Sequence, residues 1–94
     1  MTEFDEALGR LLRRLREQAG ISQRALADVL LEDQAFISRL ESGRRHVSVE
    51  MLLSYLSGIG VGLPDIAEEI SSLPGAGPLP SLWQFRRTDS DSHY

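Results

Sequence analysis

Four side chains in one short stretch, Gln34, Ala35, Ser38 and Arg39, have the chemistry that recognises the edges of DNA base pairs. A glutamine amide pairs bidentately with adenine, an arginine guanidinium pairs with guanine, and an alanine methyl contacts the methyl group of thymine. Residues four apart lie on one face of a helix, so Gln34 neighbours Ser38 and Ala35 neighbours Arg39. Such a helix fits the DNA major groove, which is about 12 Å wide. We therefore expect these four residues to contact bases.

The spacing of apolar residues predicts the elements that position these side chains, and it indicates five short amphipathic helices. The first helix ends at Gly20, and its apolar stripe consists of Phe4, Leu8, Leu11, Leu12 and Leu15. The next three helices follow side chains that make good N-caps: Ser22, Asp33 and Ser48. Pro64 suits the first turn of the fifth helix. Because strand signals are nearly missing, we predict an all-α fold.

The inner faces of the later helices are predicted from the same periodicity. The residues expected there are Leu26, Ala27 and Leu30, then Ile37 and Leu40, then Met51, Leu52, Tyr55, Leu56 and Ile59, and finally Ile66, Ala67, Ile70 and Leu73. Ile37 and Leu40 face the core in this arrangement, which turns the four base-contacting candidates outward. We interpret Phe36 as a packing residue rather than as a wedge against DNA.

Composition limits the classes of protein to consider. The chain has 94 residues, 41% of them hydrophobic and 26% charged, which is typical of one globular domain. Its formal charge of −4 argues weakly against a purely electrostatic nucleic-acid binder, since such domains tend to be basic. The arginines that matter are local, because Arg39, Arg44 and Arg45 cluster near the end of the third helix. The net charge then predicts weak non-specific affinity for DNA.

Several kinds of site are not indicated. Cysteine is absent, which excludes disulfides, thiolate zinc sites and a cysteine nucleophile. No catalytic triad order, carboxylate pair or glycine-rich phosphate loop stands out, so we expect no enzyme activity, cofactor or metal. Asp89, Asp91 and His93 alternate, but we interpret them as an ordinary chain terminus. Short apolar runs and an acidic start predict no membrane segment and no secretory signal, hence a cytoplasmic protein.

Two helices joined by a tight turn, Gln23 to Leu30 and Gln34 to Ser42, have the shape of a helix-turn-helix. The small Ala27 lies where the helices would cross. With these features the chain resembles the Cro-and-phage-repressor family, also called the xenobiotic-response-element family, from about Leu8 to Ile66. The matching pieces are Leu15-Arg16, Gly20-Ile21-Ser22-Gln23, Leu26-Ala27, Ile37-Ser38-Arg39, Glu41-x-Gly43-x-Arg45, Ser48 and Leu52-Leu53.

The resemblance implies a five-helix, lambda-repressor-like DNA-binding domain, which we assign to residues 1–72. The Pro- and Gly-rich composition after Ser72 predicts an irregular tail over residues 73–94. It implies a structural ion pair between Arg16 and Glu41. It also implies contacts to the DNA backbone, from Gln23, Ser42, Arg44 and Arg45. Gln23 suits this role because the N-terminus of a helix attracts anions. The function implied is that of a sequence-specific transcriptional regulator, a repressor that binds a palindromic operator of double-stranded DNA as a dimer.

One residue departs from the family pattern. Leu31 stands in the turn where the family usually has glycine, because the backbone there often needs a positive φ. A left-handed leucine costs about 1–2 kcal/mol. Either this strain is tolerated or the Leu30-Leu31-Glu32-Asp33 turn differs, and the second case would change the pitch of the third helix.

The tail leaves two alternatives open. Leu79, Leu82, Trp83 and Phe85 are too apolar for a freely solvated linker, so they cover the domain's own core or meet a second subunit. Our hypothesis from the sequence is a homodimer that uses the fifth helix and this tail. The alternative function is a protein-interaction or antitoxin-like module of the same fold, with a protein partner bound through the tail.

Overall fold

Five α-helices follow one another in the computed structural model, which describes residues 2–76. The helices are α1 (Glu3–Gln18), α2 (Gln23–Leu30), α3 (Gln34–Glu41), α4 (Val49–Gly58) and α5 (Leu63–Ser71). No strand occurs between residues 2 and 76, which confirms the predicted all-α fold. The tail residues singled out in the sequence, Leu79, Leu82, Trp83 and Phe85, lie outside the described residues.

α2, α3 and α4 begin where the sequence predicts, because each start depends on one capping side chain. The Ser22 hydroxyl accepts a hydrogen bond from the Ala25 amide at 3.0 Å. Asp33 and Ser48 do the same at the starts of α3 and α4, with distances of 2.8 and 3.1 Å to the amides three residues on. α1 has a capping box that the sequence analysis missed, in which Thr2 and Asp5 cap each other's backbone amides.

All five helices contribute to the core, which fixes α3 from behind. Its most deeply buried side chains are Leu12, Leu26, Ile37, Leu40, Tyr55 and Leu56. Ile37 and Leu40 are both fully buried, as predicted, and they set which face of α3 is turned outward. The prediction is wrong for the fifth helix in two places: Ala67 is exposed, and Leu73 lies beyond the helix end at Ser71.

α1 and α3 pack closely because α1 has a glycine at the contact. A Cβ atom on Gly9 would overlap the carbonyl oxygen of Glu41 and would lie 2.7 Å from that of Leu40. Gly9 is buried against this backbone. Only a residue without a side chain allows α1 to approach α3 so closely.

The turn between α2 and α3 contains Leu31 in the left-handed conformation, with φ 58° and ψ 40°. The strain is therefore tolerated, and the backbone has a positive φ at this position. The Glu32 amide donates to the Ala27 carbonyl oxygen at 2.9 Å, which is the six-residue hydrogen bond of a Schellman motif. The Leu31 side chain is 92% exposed, so packing contributes little to this choice of residue.

Replacing Leu31 by glycine is expected to stabilise the domain by about 1 kcal/mol, since it removes the left-handed strain and loses almost no burial. Urea unfolding followed by circular dichroism measures the change in the free energy of unfolding. Leu31→Ala is the matched control: it removes the same exposed side chain but keeps the strain, and should be near neutral. Equal stability of the glycine and alanine variants would show that the turn carries no relievable strain.

Candidate nucleic-acid interface

The outer face of α3 brings together all four residues predicted to contact bases. Gln34, Ala35, Ser38 and Arg39 are exposed, while Ile37 and Leu40 on the opposite face are fully buried. The face therefore presents an amide, a methyl group, a hydroxyl and a guanidinium to solvent. This set of groups can form hydrogen bonds and apolar contacts with base edges in a major groove.

Gln23, at the first position of α2, contacts the outer face of α3 directly. The side-chain Oε1 of Gln23 accepts a hydrogen bond from Gln34 Nε2 at 3.4 Å. The Nε2 of the same side chain donates to Glu41 Oε1 at 3.1 Å. Because an ionised carboxylate only accepts hydrogen bonds, Glu41 fixes which end of the Gln23 amide faces Gln34. The N-terminus of α2 and the N-terminus of α3 are thus coupled through side chains.

Basic side chains surround the C-terminal end of α3. Ser42, Arg44 and Arg45 are all exposed just beyond it, next to Arg39 on its last turn. The Arg44 amide donates to the Arg39 carbonyl oxygen at 3.0 Å, which folds the chain back over the helix end. Together these residues form a local positive surface on an acidic protein.

Phe36 supports this surface from below. It is 6% exposed and packs in the core cluster, as predicted, rather than projecting as a wedge. The guanidinium carbon of Arg45 lies 4.7 Å from the centre of its ring, within the range of a cation–π contact. This contact orients Arg45 at the edge of the outer face of α3.

A buried ion pair holds α3 against α1. Arg16 Nε lies 2.7 Å from Glu41 Oε2, and Arg16 Nη2 donates to Glu41 Oε1 at 3.0 Å. Both side chains are almost fully buried, and Arg16 Nη1 also donates to the Ile21 carbonyl oxygen at 2.8 Å. The pair fixes the end of α3, and so the orientation of its exposed face.

Tyr55 of α4 completes this polar cluster, and the sequence analysis placed it only in an apolar stripe. Its hydroxyl lies 2.5 Å from Glu41 Oε2 and 3.1 Å from the Leu12 carbonyl oxygen. The tyrosine itself could have indicated this contact, because a fully buried tyrosine hydroxyl needs a hydrogen-bond partner, whereas phenylalanine and leucine have no such group. Glu41 therefore accepts from residues of three other elements.

The protonation of this cluster follows from its geometry. Burial alone would raise the pKa of Glu41, but hydrogen bonds from Arg16, Tyr55 and Gln23 outweigh it and lower that pKa. The hydrogen bond to Glu41 raises the pKa of Arg16 despite its burial. Burial and the neighbouring carboxylate raise the pKa of Tyr55. At neutral pH the cluster contains one carboxylate, one guanidinium and one neutral phenol.

A second polar contact ties the loop after α3 to the start of α1. His46 Nδ1 lies 3.0 Å from Asp5 Oδ2. The pKa of Asp5 is lowered, chiefly by the hydrogen bond from the Thr2 amide and also by His46, against the effect of burial. The contact anchors the loop that carries Arg44 and Arg45.

Residues 2–76 lack two further features. This part of the chain contains no group of three histidine, aspartate or glutamate side chains arranged to hold a metal ion. None of its helices is both long enough and apolar enough to span a membrane.

Comparisons with known proteins agree on one kind of domain. A family model described as a helix-turn-helix domain matches residues 7–68. The crystal structure of the clp gene regulator ClgR from C. glutamicum is 34% identical, covers 76% of this chain and 92% of that chain, and has a TM-score of 0.68. An XRE-family like protein from Pseudomonas syringae pv. tomato str. DC3000 is 30% identical over 73% of this chain and 84% of that one, with a TM-score of 0.67.

A third similar structure shows the fold alone. The restriction-modification controller protein C.Esp1396I, solved as a tetramer in complex with its natural 35 base-pair operator, is 20% identical. The match covers 74% of this chain and 92% of that chain, with a TM-score of 0.68. No curated protein sequence matches this chain.

Proposed function

Because this chain belongs to the helix-turn-helix family of DNA-binding transcriptional regulators, we propose that it is a repressor that binds a palindromic operator as a homodimer. The observation that carries the proposal is the outer face of α3. There Gln34 and Arg39, the two side chains capable of bidentate pairing with bases, are both exposed, while Ile37 and Leu40 on the opposite face are anchored in the core.

The proposed base contacts divide along α3. Gln34 and Ala35 stand at its N-terminal end, which enters the groove first in helix-turn-helix domains. Ser38 and Arg39 follow one turn later, so the four residues span about one turn and a half of helix. Gln34 and Arg39 would favour adenine and guanine respectively, each with about 1–3 kcal/mol of discrimination against the wrong base.

The proposed backbone contacts flank this face at both ends. Gln23 lies at the N-terminus of α2, where free amide hydrogens attract a phosphate. Ser42, Arg44 and Arg45 lie past the C-terminus of α3, where the two arginines would neutralise phosphates and Ser42 would contact one. Such contacts fix the register of the protein on DNA without selecting a sequence.

A dimer follows from the weakness of a single module. With a net charge of −4, one copy gains little non-specific affinity, and a single short helix contacts only a few base pairs. Two copies related by a two-fold axis would bind half-sites about 34 Å apart, which gives a palindromic operator. Repression would follow where the occupied operator overlaps a promoter.

The base contacts are tested by comparing two arginine variants. Arg39→Ala is expected to lose about 1–3 kcal/mol for the preferred site and to relax the base preference at one position. Arg44→Ala is the matched control, because it removes a proposed phosphate contact and leaves the Arg45–Phe36 contact in place. It should weaken binding to all sequences alike. It should also reduce the slope of log affinity against log salt concentration by about one.

The measurement begins with selection of genomic fragments bound by the wild-type chain, followed by anisotropy titrations at two salt concentrations. Unchanged affinity and preference in Arg39→Ala would refute the base-reading assignment. A symmetric footprint and a light-scattering mass of two chains at micromolar concentration are expected. A monomer mass there would contradict the homodimer, and increased transcription from the bound promoter would contradict repression.

A further inference from the structure

A groove between α1 and α5 lies beside the last residues that the structure describes. It has a volume of about 550 Å³, which is within the range of protein binding pockets and holds several side chains. Ala7 and Leu11 are buried at its base, Leu73 and Pro74 form a wall, and Arg10, Arg14 and Glu69 lie at its exposed rim. The groove is thus apolar at its base and carries charges of both signs at its rim.

We propose that residues 79–85 of the same molecule occupy this groove. This segment reads Leu79-Pro80-Ser81-Leu82-Trp83-Gln84-Phe85, so four of its seven side chains are large and apolar. Such a density of large apolar groups favours burial against the protein over exposure to water. The tail would then cover its own domain instead of meeting a second subunit, and the homodimer would form through other surfaces.

The described chain ends beside the groove, within reach of this segment. Leu73 and Pro74 form its wall, Gly75 lies against Phe4 of α1, and Ala76 is buried. Phe85 follows Ala76 by nine residues, which span at most about 30 Å. The groove extends along α1 from Ala7 to Arg14, a rise of about 10 Å. A short covalent link gives a millimolar effective concentration, which favours the same molecule over a second copy.

The chemistry of the groove suits the side chains of the segment. Arg10 is exposed at the rim, where a guanidinium group attracts the faces of tryptophan and phenylalanine rings, while Arg14 beside it is paired with Glu69. α5 contains three acidic residues, Asp65, Glu68 and Glu69, and no basic one. Arg86 and Arg87 come directly after Phe85, so the segment ends with charges opposite to those of α5.

The fluorescence of Trp83 tests the proposal without DNA, because Trp83 is the only tryptophan in the chain. We expect the emission of the full chain to lie at shorter wavelength than that of a synthetic peptide of residues 77–94, with weaker quenching by acrylamide. The shift should be the same from the lowest to the highest protein concentration. Emission identical to that of the peptide would overturn the proposal, as would a shift that grows with concentration, since that indicates a second copy.

Variants of the groove locate the segment. Leu73→Asp places a charge in the wall and should return the emission toward that of the peptide, with helicity checked by circular dichroism. Arg10→Glu changes an exposed helical position and should return the emission partly toward that of the peptide. It keeps the test decisive if Leu73→Asp fails to fold. Leu53→Asp is the matched control, because Leu53 is a half-exposed leucine on α4 outside the groove. A shift that survives both groove variants would place Trp83 elsewhere and overturn the proposal.

Discussion

Replacement of Glu41 by alanine is expected to lower the free energy of unfolding by about 3–5 kcal/mol, because it leaves the buried Arg16 guanidinium without its partner. The same change removes the acceptor that lies 2.5 Å from the Tyr55 hydroxyl and 3.1 Å from the Gln23 amide nitrogen. The total free energy of unfolding of a domain of this length is roughly 5–14 kcal/mol. Urea unfolding at pH 7, followed by circular dichroism, should show a much lower midpoint with an unchanged slope.

Two further variants separate pairing from simple loss of a carboxylate. Glu69→Ala breaks the Arg14–Glu69 pair, whose side chains are 56% and 48% exposed, and should cost less than about 1 kcal/mol. The double change Arg16→Met with Glu41→Leu should be milder than Glu41→Ala, since no charge is left unpaired. If Glu41→Ala proved as mild as Glu69→Ala, the buried cluster would not hold α3 in place.

The same cluster gives stability a dependence on pH with a defined sign. The pKa of Glu41 is lowered on folding from its ordinary value of 4.5, so its contribution is present above that value and is lost as the solution is acidified through the folded pKa. Part of the acid sensitivity of the wild-type chain should therefore be missing from Glu41→Ala.

Replacement of Gly9 by alanine is expected to destabilise the domain by about 1–3 kcal/mol, through overlap with the α3 backbone. This effect is opposite in direction to the usual one, because replacing glycine by alanine inside a helix ordinarily raises the free energy of unfolding by about 1 kcal/mol. The atoms in the way are the carbonyl oxygens of Glu41 and Leu40, which move only if α3 moves. DNA affinity should fall together with stability in this variant, and parallel unfolding and anisotropy titrations measure both.

Gly58→Ala provides the comparison for Gly9. A Cβ atom at Gly58 would lie 2.6 Å from Leu26 Cδ1, the end of a side chain that can rotate away. This variant should therefore be less destabilised than Gly9→Ala. A Gly9→Ala protein as stable as the wild type would mean that α1 and α3 can separate at no cost.

The helices and the family could be predicted from the sequence because their signals are local. Ser22, Asp33 and Ser48 each cap a helix through a hydrogen bond to a residue three positions away. The helix-turn-helix resemblance depends on short pieces in a fixed order, and the family model over residues 7–68 confirms it. The boundary between residues 72 and 73 and the roles of the exposed side chains remain predictions.

The remaining features depend on distant residues. Tyr55 and Glu41 are 14 positions apart, and the Tyr55–Leu12 contact spans 43, so no local pattern indicates that they meet. At Leu31 the strain of a left-handed leucine competes with the Schellman hydrogen bond from Glu32 to Ala27. The local propensity of leucine favours a negative φ. The packing of α2 against α3 outweighs this preference, so Leu31 adopts the left-handed conformation.

The division between the two faces of α3 has a consequence for how this protein can change. Gln34, Ala35, Ser38 and Arg39 contribute no side chain to the core, whereas Ile37, Leu40 and Glu41 do. A library randomised at the four outer positions should therefore yield mostly folded members. Selection for a new target sequence and selection for stability would then act on different residues, so binding preference can diverge while the scaffold stays constant.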